Sequence, residues 1–246
     1  QAVISMVGIL NEPGRSGEGF QRAHVGQVER VLEACRTVGI RRLVHVSALG
    51  AGEGMSHYLV SKGAAETAIR GTPGINATII QPSVIFGRGD AFFNRFASLL
   101  KLAPVLPLAC PDARMQPVWA GDVATLICRV LSDERAYGET LVAVGPREYS
   151  LRELVDYTAR VAGLKRRIAG LPDGLSRWQG RLMDFVPGKP FSSDNYRSLQ
   201  TPNTSQANSL PDYGIHPRSV ESTVPEYLPG SARQRRRDAC RQRVIR

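Results

Sequence analysis

The apolar residues of the chain fall into two alternating kinds of run. The segment AVISMVGIL (Ala2–Leu10) is continuous, rich in β-branched residues and free of charge, the pattern of a strand buried on both faces. After a Gly/Pro-rich loop, Phe20, His24, Val28, Val31, Leu32, Cys35 and Val38 recur at three- and four-residue spacing. That spacing predicts an amphipathic helix, which Gly39 ends. The run RRLVHVSAL predicts a second buried strand, and a loop of glycines precedes a helix from about Ser56 to Arg70. ATIIQPSVIF is the third strand. Strand, helix, strand, helix, strand at this spacing requires parallel strands joined by crossovers, so the first 90 residues predict part of an open, doubly wound α/β sheet.

Beyond Gly89 the rhythm changes. Ala91–Leu102 and Gly121–Leu131 read as helices, the second capped by Asp122 or its neighbour, and MQPVWA and ETLVAVG read as short strands. Ser150-Leu-Arg-Glu153 is a capping box that opens a helix through Val161. From Lys165 onward, short helical patterns carrying Leu175, Trp178, Leu182 and Phe185 alternate with Pro/Gly turns. This apolar stripe is expected to pack a smaller, irregular C-terminal lobe.

Composition narrows the function classes. Apolar residues make up 42% of the chain and are spread evenly, so most of it should fold. No run approaches the roughly 20 apolar residues of a membrane span, and Gln1–Leu10 has neither a basic leader nor a cleavage site, so no secretory signal is expected. The cysteines Cys35, Cys110, Cys128 and Cys240 are scattered without a CxxC pair, which suits reduced thiols and neither a disulfide scaffold nor a metal site. The formal charge is +10, but Ser231–Arg246 carries seven arginines and one aspartate, +6 of that total, leaving +4 for the other 230 residues. The basic segment therefore reads as a solvated tail or as a contact for anionic lipid or an acidic partner. It has no aromatic residue for base stacking, so nucleic acid is not an expected partner.

The chemistry centres on Tyr58 and Lys62. Four residues apart on a helix, they share one face, and an ammonium beside a phenol favours the phenolate. A tyrosine so placed serves as an acid or base, and the lysine can also hydrogen-bond ribose hydroxyls. In open α/β sheets ligands sit at the carboxyl ends of the strands. Here those ends are Met6-Val7-Gly8, Ser47 with Ala48, and Pro82-Ser83-Val84, which should line one crevice with Tyr58 and Lys62 facing it.

The order strand-Ser, Tyr-x-x-x-Lys, strand-Pro-Ser-Val-x-x-Gly resembles the atypical and extended short-chain dehydrogenases, a family that is NAD-dependent epimerase/dehydratase-like. Finer features resemble one branch, the short-chain-dehydrogenase-like accessory subunit of respiratory complex I and its bacterial relatives. They are Val7-Gly8-Ile9-Leu10-Asn11-Glu12, His45-Val46-Ser47-Ala48-Leu49-Gly50-Ala51, Asp90 with Phe92-Phe93-Asn94-Arg95-Phe96, Gln116-Pro117-Val118 with Asp122-Val123-Ala124, Val186-Pro187-Gly188-Lys189-Pro190-Phe191 and Asp194-Asn195-Tyr196. The likeness runs from Ala2 to about Leu228.

The resemblance implies a Rossmann fold with bound NADP or NAD. It further implies cofactor contacts from Met6, Val7, Gly8, Ser47, Tyr58, Lys62, Pro82, Ser83 and Val84, and a catalytic set of Tyr58, Lys62 and Ser47 if the protein turns over. Residues 1–90 would form the C-terminal part of the dinucleotide-binding domain, residues 91–230 a small substrate-type lobe interleaved with its last elements, and residues 231–246 a basic, disordered tail. The implied partners are a nicotinamide dinucleotide and a membrane-bound respiratory complex or an anionic membrane surface. The implied location is the cytoplasmic or matrix side, peripheral to the inner membrane.

Two functions stand open: a binding and assembly role with little turnover, or an active NAD(P)-dependent reductase, dehydrogenase or epimerase. Three departures from the family pattern bear on that choice. Gly14-Arg-Ser-Gly17-Glu-Gly19 lies several residues past the strand end and reads as a loop, not as the phosphate-cradling turn. Ala2–Leu10 is then expected to be the family's fourth strand, with the first βαβ units absent and dinucleotide binding by these residues weak. The reactive hydroxyl position falls on Ala48, one past Ser47, and neighbouring strand residues face opposite ways. Gln81 stands where relatives often carry arginine. His24 is expected to be a satisfied core histidine and His57 a surface residue.

Overall fold

The computed structural model describes residues 1–187 and 189–228, so the basic segment Ser231–Arg246 lies outside the described residues. In chain order the elements are β1 (Ala2–Ser5), α1 (Glu18–Phe20), a π-helical turn (Gln21–Gly26), α2 (Gln27–Val38), β2 (Arg42–Val46), α3 (His57–Arg70), β3 (Asn76–Pro82), β4 (Ile85–Phe86), α4 (Phe93–Leu102), β5 (Val105–Leu108), β6 (Arg114–Met115), β7 (Val118–Trp119), α5 (Ala120–Val130), β8 (Thr140–Ala143), β9 (Tyr149–Ser150), α6 (Leu151–Val161), β10 (Arg167–Gly170), α7 (Asp173–Met183), α8 (Ser193–Ser198) and α9 (Val220–Tyr227).

Four parallel strands in the order β1-β2-β3-β8 form the central sheet. The pleat divides their side chains between two cores. Leu43, Ala77 and Ile79 join Val28 and Leu32 of α2 and Ala65 and Ile69 of α3 on one face. Val44, Ile80, Leu141 and Ala143 join Val123, Leu126, Ile127 and Val130 of α5 on the other. Helices thus cover both faces, as the run pattern requires. Each fully buried aliphatic side chain contributes roughly 1.5–3 kcal/mol, and these two layers hold the strand tips in register. A third core, around Phe86, Phe93, Leu100, Met115, Tyr149 and Leu154, packs α4 and α6 with the short paired strands.

Local chemistry explains the boundaries. Gly39, at φ 72, closes α2, and its N–H donates to the carbonyls of Arg36 and Cys35. The capping box at Ser150 and Glu153 opens α6 with both reciprocal hydrogen bonds. Gly63 of α3 lies against the glycine loop, where a Cβ would stand 2.4 Å from the Gly52 Cα, so only glycine allows this approach.

Several expectations are corrected. The first strand is short and lies at the sheet edge, with Ile4, Met6 and Val7 at 42%, 66% and 45% exposure. Among the described residues β1 pairs only with β2, and no element covers Ile4 as α5 covers Val44. The run ATIIQPSVIF breaks into β3 and β4, because Pro82 has no N–H to continue the ladder and the Val84 N–H turns to the Asn203 side chain. MQPVWA likewise divides, β6 pairing antiparallel with β9 and β7 parallel with β4. Asp122 does not cap α5; its buried carboxylate accepts from the Arg218 N–H at 2.8 Å, tying the C-terminal segment to the helix. The stripe Leu175, Trp178, Leu182 and Phe185 does not pack the lobe but faces outward.

Candidate functional site

Lys62 is the centre of the strand-tip arrangement. It is 3% exposed, yet its ammonium reaches the C-terminal ends of two strands, donating to the Val46 carbonyl at 3.2 Å and the Val7 carbonyl at 3.4 Å. A Cβ on Gly8 would lie 3.3 Å from the same nitrogen. Two of its three N–H groups are committed, leaving one to offer. Burial pulls the ammonium down to about 8, with Glu66 pulling the other way.

Tyr58 lies one turn earlier, its ring edge-on to His24 (5.5 Å between centroids) and Phe20 (6.1 Å). Burial pushes the phenol up to about 12. This reverses the direction expected from the Tyr-x-x-x-Lys spacing. The ammonium is turned onto strand carbonyls, and the hydrophobic surroundings of the phenol dominate.

His24 has the role of a joint. The Ile9 N–H donates to its Nε2 at 3.1 Å, while Nδ1 lies 2.8 Å from the Ser61 hydroxyl, which itself donates to the Tyr58 carbonyl. Since Ser61 spends its hydrogen on Tyr58, Nδ1 must carry the proton and Nε2 must accept. The ring is therefore neutral, and burial, then the nearby Lys62 charge, lower its pKa to about 4. The π-helical turn that carries His24 places the ring against α3, a local device frequent at functional sites. His45 sits in the same neighbourhood, its Nδ1 3.2 Å from the Ser5 hydroxyl, and is lowered to about 3, first by burial and then by Lys62.

Ser47 continues the β2 ladder, its N–H donating to the Ile80 carbonyl, and its buried hydroxyl has no hydrogen-bond partner among the described residues. A buried, unpaired hydroxyl calls for a ligand or water. Pro82 accepts from the Leu49 N–H through its carbonyl, while the Ser83 hydroxyl is already engaged by Asn203, whose carboxamide oxygen also accepts from the Val84 N–H. The Ser83 N–H is likewise committed, to the Ala143 carbonyl at 3.0 Å, which leaves only its own carbonyl for a ligand. Met6 and Val7 are exposed on the β1 edge.

The glycine loop after β1 is not a phosphate cradle. The N–H groups of Gly17 and Gly19 donate at 2.7 Å to the Glu12 carboxylate, which fills the place an anion would take. The residues present fit the nicotinamide-ribose end of a dinucleotide: one free ammonium N–H on Lys62, one unpaired Ser47 hydroxyl, and Gly8, whose lack of a side chain leaves the Lys62 nitrogen uncrowded.

Sequence spacing missed two fastenings made from more than 130 residues away. Asp194 of α8 accepts from the N–H groups of His57 and Tyr58 at 2.7 and 3.1 Å, while Ser56 caps Leu59. Asp194→Ala is expected to lower stability by about 1–2 kcal/mol, the usual cost of losing such a cap. Thermal unfolding reads this, and an unchanged midpoint would contradict it. Lys189 donates to the carbonyls of Glu12, Pro13 and Gly14, clamping the loop that follows β1. Only the Asp194-Asn195-Tyr196 and Val186–Phe191 motifs hinted at these roles. His57, expected at the surface, is half-buried against Gly17 and lines an open cleft of about 400 Å³ between the Glu12–Arg15 loop, α7 and α8. Tyr58 and Lys62 do not line that cleft.

The four-stranded parallel sheet with helices on both faces is a Rossmann-type fold. Residues 1–90 match the model of the NAD(P)H-binding family, and this part of the chain is an NAD(P)H-binding domain. Over 233 residues the chain is 30% identical to NADH dehydrogenase (ubiquinone) 1 alpha subcomplex subunit 9, mitochondrial, of Rattus norvegicus, covering 89% of this chain and 60% of that protein. It is 31% identical over 195 residues to the ceramide reductase of Caulobacter vibrioides, covering 75% of this chain and 57% of that enzyme. The chain thus spans less than two thirds of either relative. Among solved structures, MoeE5 in complex with UDP-glucose and NAD superposes with a TM-score of 0.69 at 17% identity, covering 96% of this chain and 79% of that one, a likeness of fold. Among the described residues no helix is long and apolar enough to cross a membrane.

Proposed function

We propose that this chain is the nicotinamide-end portion of an NAD(P)(H)-binding, short-chain-dehydrogenase-like protein whose role is mainly structural, serving assembly of a membrane-bound respiratory enzyme. Met6–Gly8, Ser47, Tyr58, Lys62 and Pro82–Val84 would hold the cofactor. Lys62 would donate to a ribose hydroxyl with its remaining N–H, and Ser47 would satisfy its hydroxyl on the nicotinamide side. The observation that carries the low-turnover reading is the Tyr58 phenol. The half-buried ring stands edge-on to His24 and Phe20, and its phenol, pushed up to about 12, is both a poor base and a weaker proton donor than a free tyrosine. The likeness to the rat respiratory subunit supports the same reading.

A second reading has its own support. Tyr58, Lys62 and the unpaired Ser47 hydroxyl are the parts an NAD(P)H-dependent carbonyl reductase needs, and one relative is a ceramide reductase. In that case Tyr58 would give its proton to the carbonyl oxygen as hydride arrives from the reduced nicotinamide, and Ser47 would orient the carbonyl. The two readings separate in one experiment. The protein is mixed with NADPH or NADH, and nicotinamide absorbance is followed as long-chain 3-keto lipids and nucleotide-sugar ketones are added. Nicotinamide absorbance unchanged by either class of carbonyl is the expected result. Oxidation that Tyr58→Phe abolishes would overturn the structural role in favour of the enzyme.

A further inference from the structure

The helix α7 is built the reverse way round for a helix that closes a domain. Its inward face carries small residues: Ser176 is fully buried, and Gly180 lies so close to α8 that a Cβ would stand 3.2 Å from the Ser192 carbonyl oxygen. Its large apolar residues point out. Leu175, Trp178 and Leu182 are 53%, 62% and 49% exposed, and Phe185 and Val186, just past the helix, are 73% and 39% exposed. Spacings of three, four and three place Leu175, Trp178, Leu182 and Phe185 on one face. Such a ridge is costly in water and contributes nothing to the core beneath it.

The charges beside the ridge are basic. Arg177 and Arg181 flank it on the helix, and the Arg15 guanidinium lies 3.8 Å from the centre of the Phe185 ring. Among the described residues neither Arg177 nor Arg181 meets an acidic side chain within ion-pair distance. The acids of the segment are occupied: Asp173 accepts from the Tyr196 hydroxyl and Asp184 from Ser193.

We propose that α7 and the turn after it form a membrane-docking surface that lies in the plane of an anionic bilayer. Leucine, tryptophan and phenylalanine enter the headgroup boundary, and the arginines meet lipid phosphates at its edge. The helix, about 16 Å long at 1.5 Å per residue, lies on a bilayer and does not cross it. A second copy of the chain is a poor occupant, because pairing the ridge with itself would bring arginine against arginine. A single helix-wide ridge is also narrow for a stable protein interface, which needs roughly 800 Å² from each partner. This surface stands apart from the cofactor site and does not rest on its reading.

The test is sedimentation of the 246-residue chain with phosphatidylcholine vesicles, with and without phosphatidylglycerol, at low and high salt. Binding to the anionic vesicles at least about tenfold above the neutral ones, weakened by salt, is expected, with a blue shift of tryptophan emission. The triple variant Leu175→Gln, Trp178→Gln, Leu182→Gln should lose about tenfold or more of that binding, and Arg177→Gln with Arg181→Gln should lose the salt-sensitive part. Trp178→Phe keeps the ridge apolar and should bind while losing the emission shift, which guards against misfolding of the triple variant. Undiminished binding by the triple variant overturns the proposal. So does binding that vanishes when residues 231–246 are removed, which would assign it to the basic tail. Absence of vesicle binding together with self-association that the triple variant abolishes overturns it in favour of a second copy.

Discussion

Lys62→Met should make the chain more stable at neutral pH and, on the cofactor role proposed for Lys62, weaken dinucleotide binding at the same time. The ammonium is almost wholly buried, and burial lowers its pKa from 10.5 to about 8. The unfolded chain therefore binds this proton more tightly than the folded one. Below pH 8 the difference opposes folding by about 3 kcal/mol, and it fades as pH rises from 8 towards 10.5. Methionine fills the same channel without charge. It leaves the Val7 and Val46 carbonyls unpaired, at roughly 1 kcal/mol each. The expected net gain is about 1 kcal/mol at pH 7, turning into a loss near pH 10, read from denaturant midpoints at the two pH values. Dinucleotide affinity should fall about tenfold or more, as expected when a charged donor is removed. A variant less stable than the parent at pH 7 would show that the ammonium is not under strain there.

The second large effect is acid sensitivity from His24 and His45. Both are neutral in the fold, at about 4 and about 3, against 6.5 when exposed. Their folded pKa values are depressed, so between pH 6.5 and 4 the unfolded chain binds protons that the folded chain refuses. Stability therefore falls as pH falls through this window, by about 1.4 kcal/mol per pH unit for each histidine. The geometry agrees, because protonating Nε2 of His24 would set a donor against the Ile9 N–H. The slope of unfolding free energy between pH 6 and 4.5 should report an uptake of about two protons from this pair. Replacing both histidines with glutamine should flatten it accordingly. A slope indifferent to the double substitution would mean that other groups drive the transition.

Much of this arrangement was legible along the chain because it is local. The sheet, α2, α3 and the α6 capping box follow from apolar period and from end signals such as Ser56, Gly39 and Ser150, which act within four residues. The placement of Lys62 at the strand tips followed from helix geometry and the parallel sheet. Three kinds of feature were not legible. Pairing of short segments, as in β4 with β7 and β6 with β9, depends on partners more than 30 residues away and leaves no period. The direction of the Tyr58 shift depends on what surrounds the phenol, since spacing gives the distance to a charge but not the burial that outweighs it. The outward face of α7 escaped because an apolar stripe looks alike whether it meets a core or a partner. The discriminating signal was on the other side of the helix, where Gly180 is small enough to pack against the start of α8 and Ser176 is buried with its hydroxyl bonded to Cys110 and Leu171.

Residues 1–90 match the NAD(P)H-binding family, the strand tips and Lys62 are the cofactor site proposed for them, and Glu12 occupies the N–H groups of the glycine loop. The most direct measurement is a crystal structure of the protein grown with saturating NADPH. The account predicts a nicotinamide-ribose hydroxyl at about 3 Å from the Lys62 nitrogen, with Ser47 facing the nicotinamide. A dinucleotide whose ribose lies away from Lys62, or whose pyrophosphate displaces Glu12 from the Gly17 and Gly19 N–H groups, would contradict it.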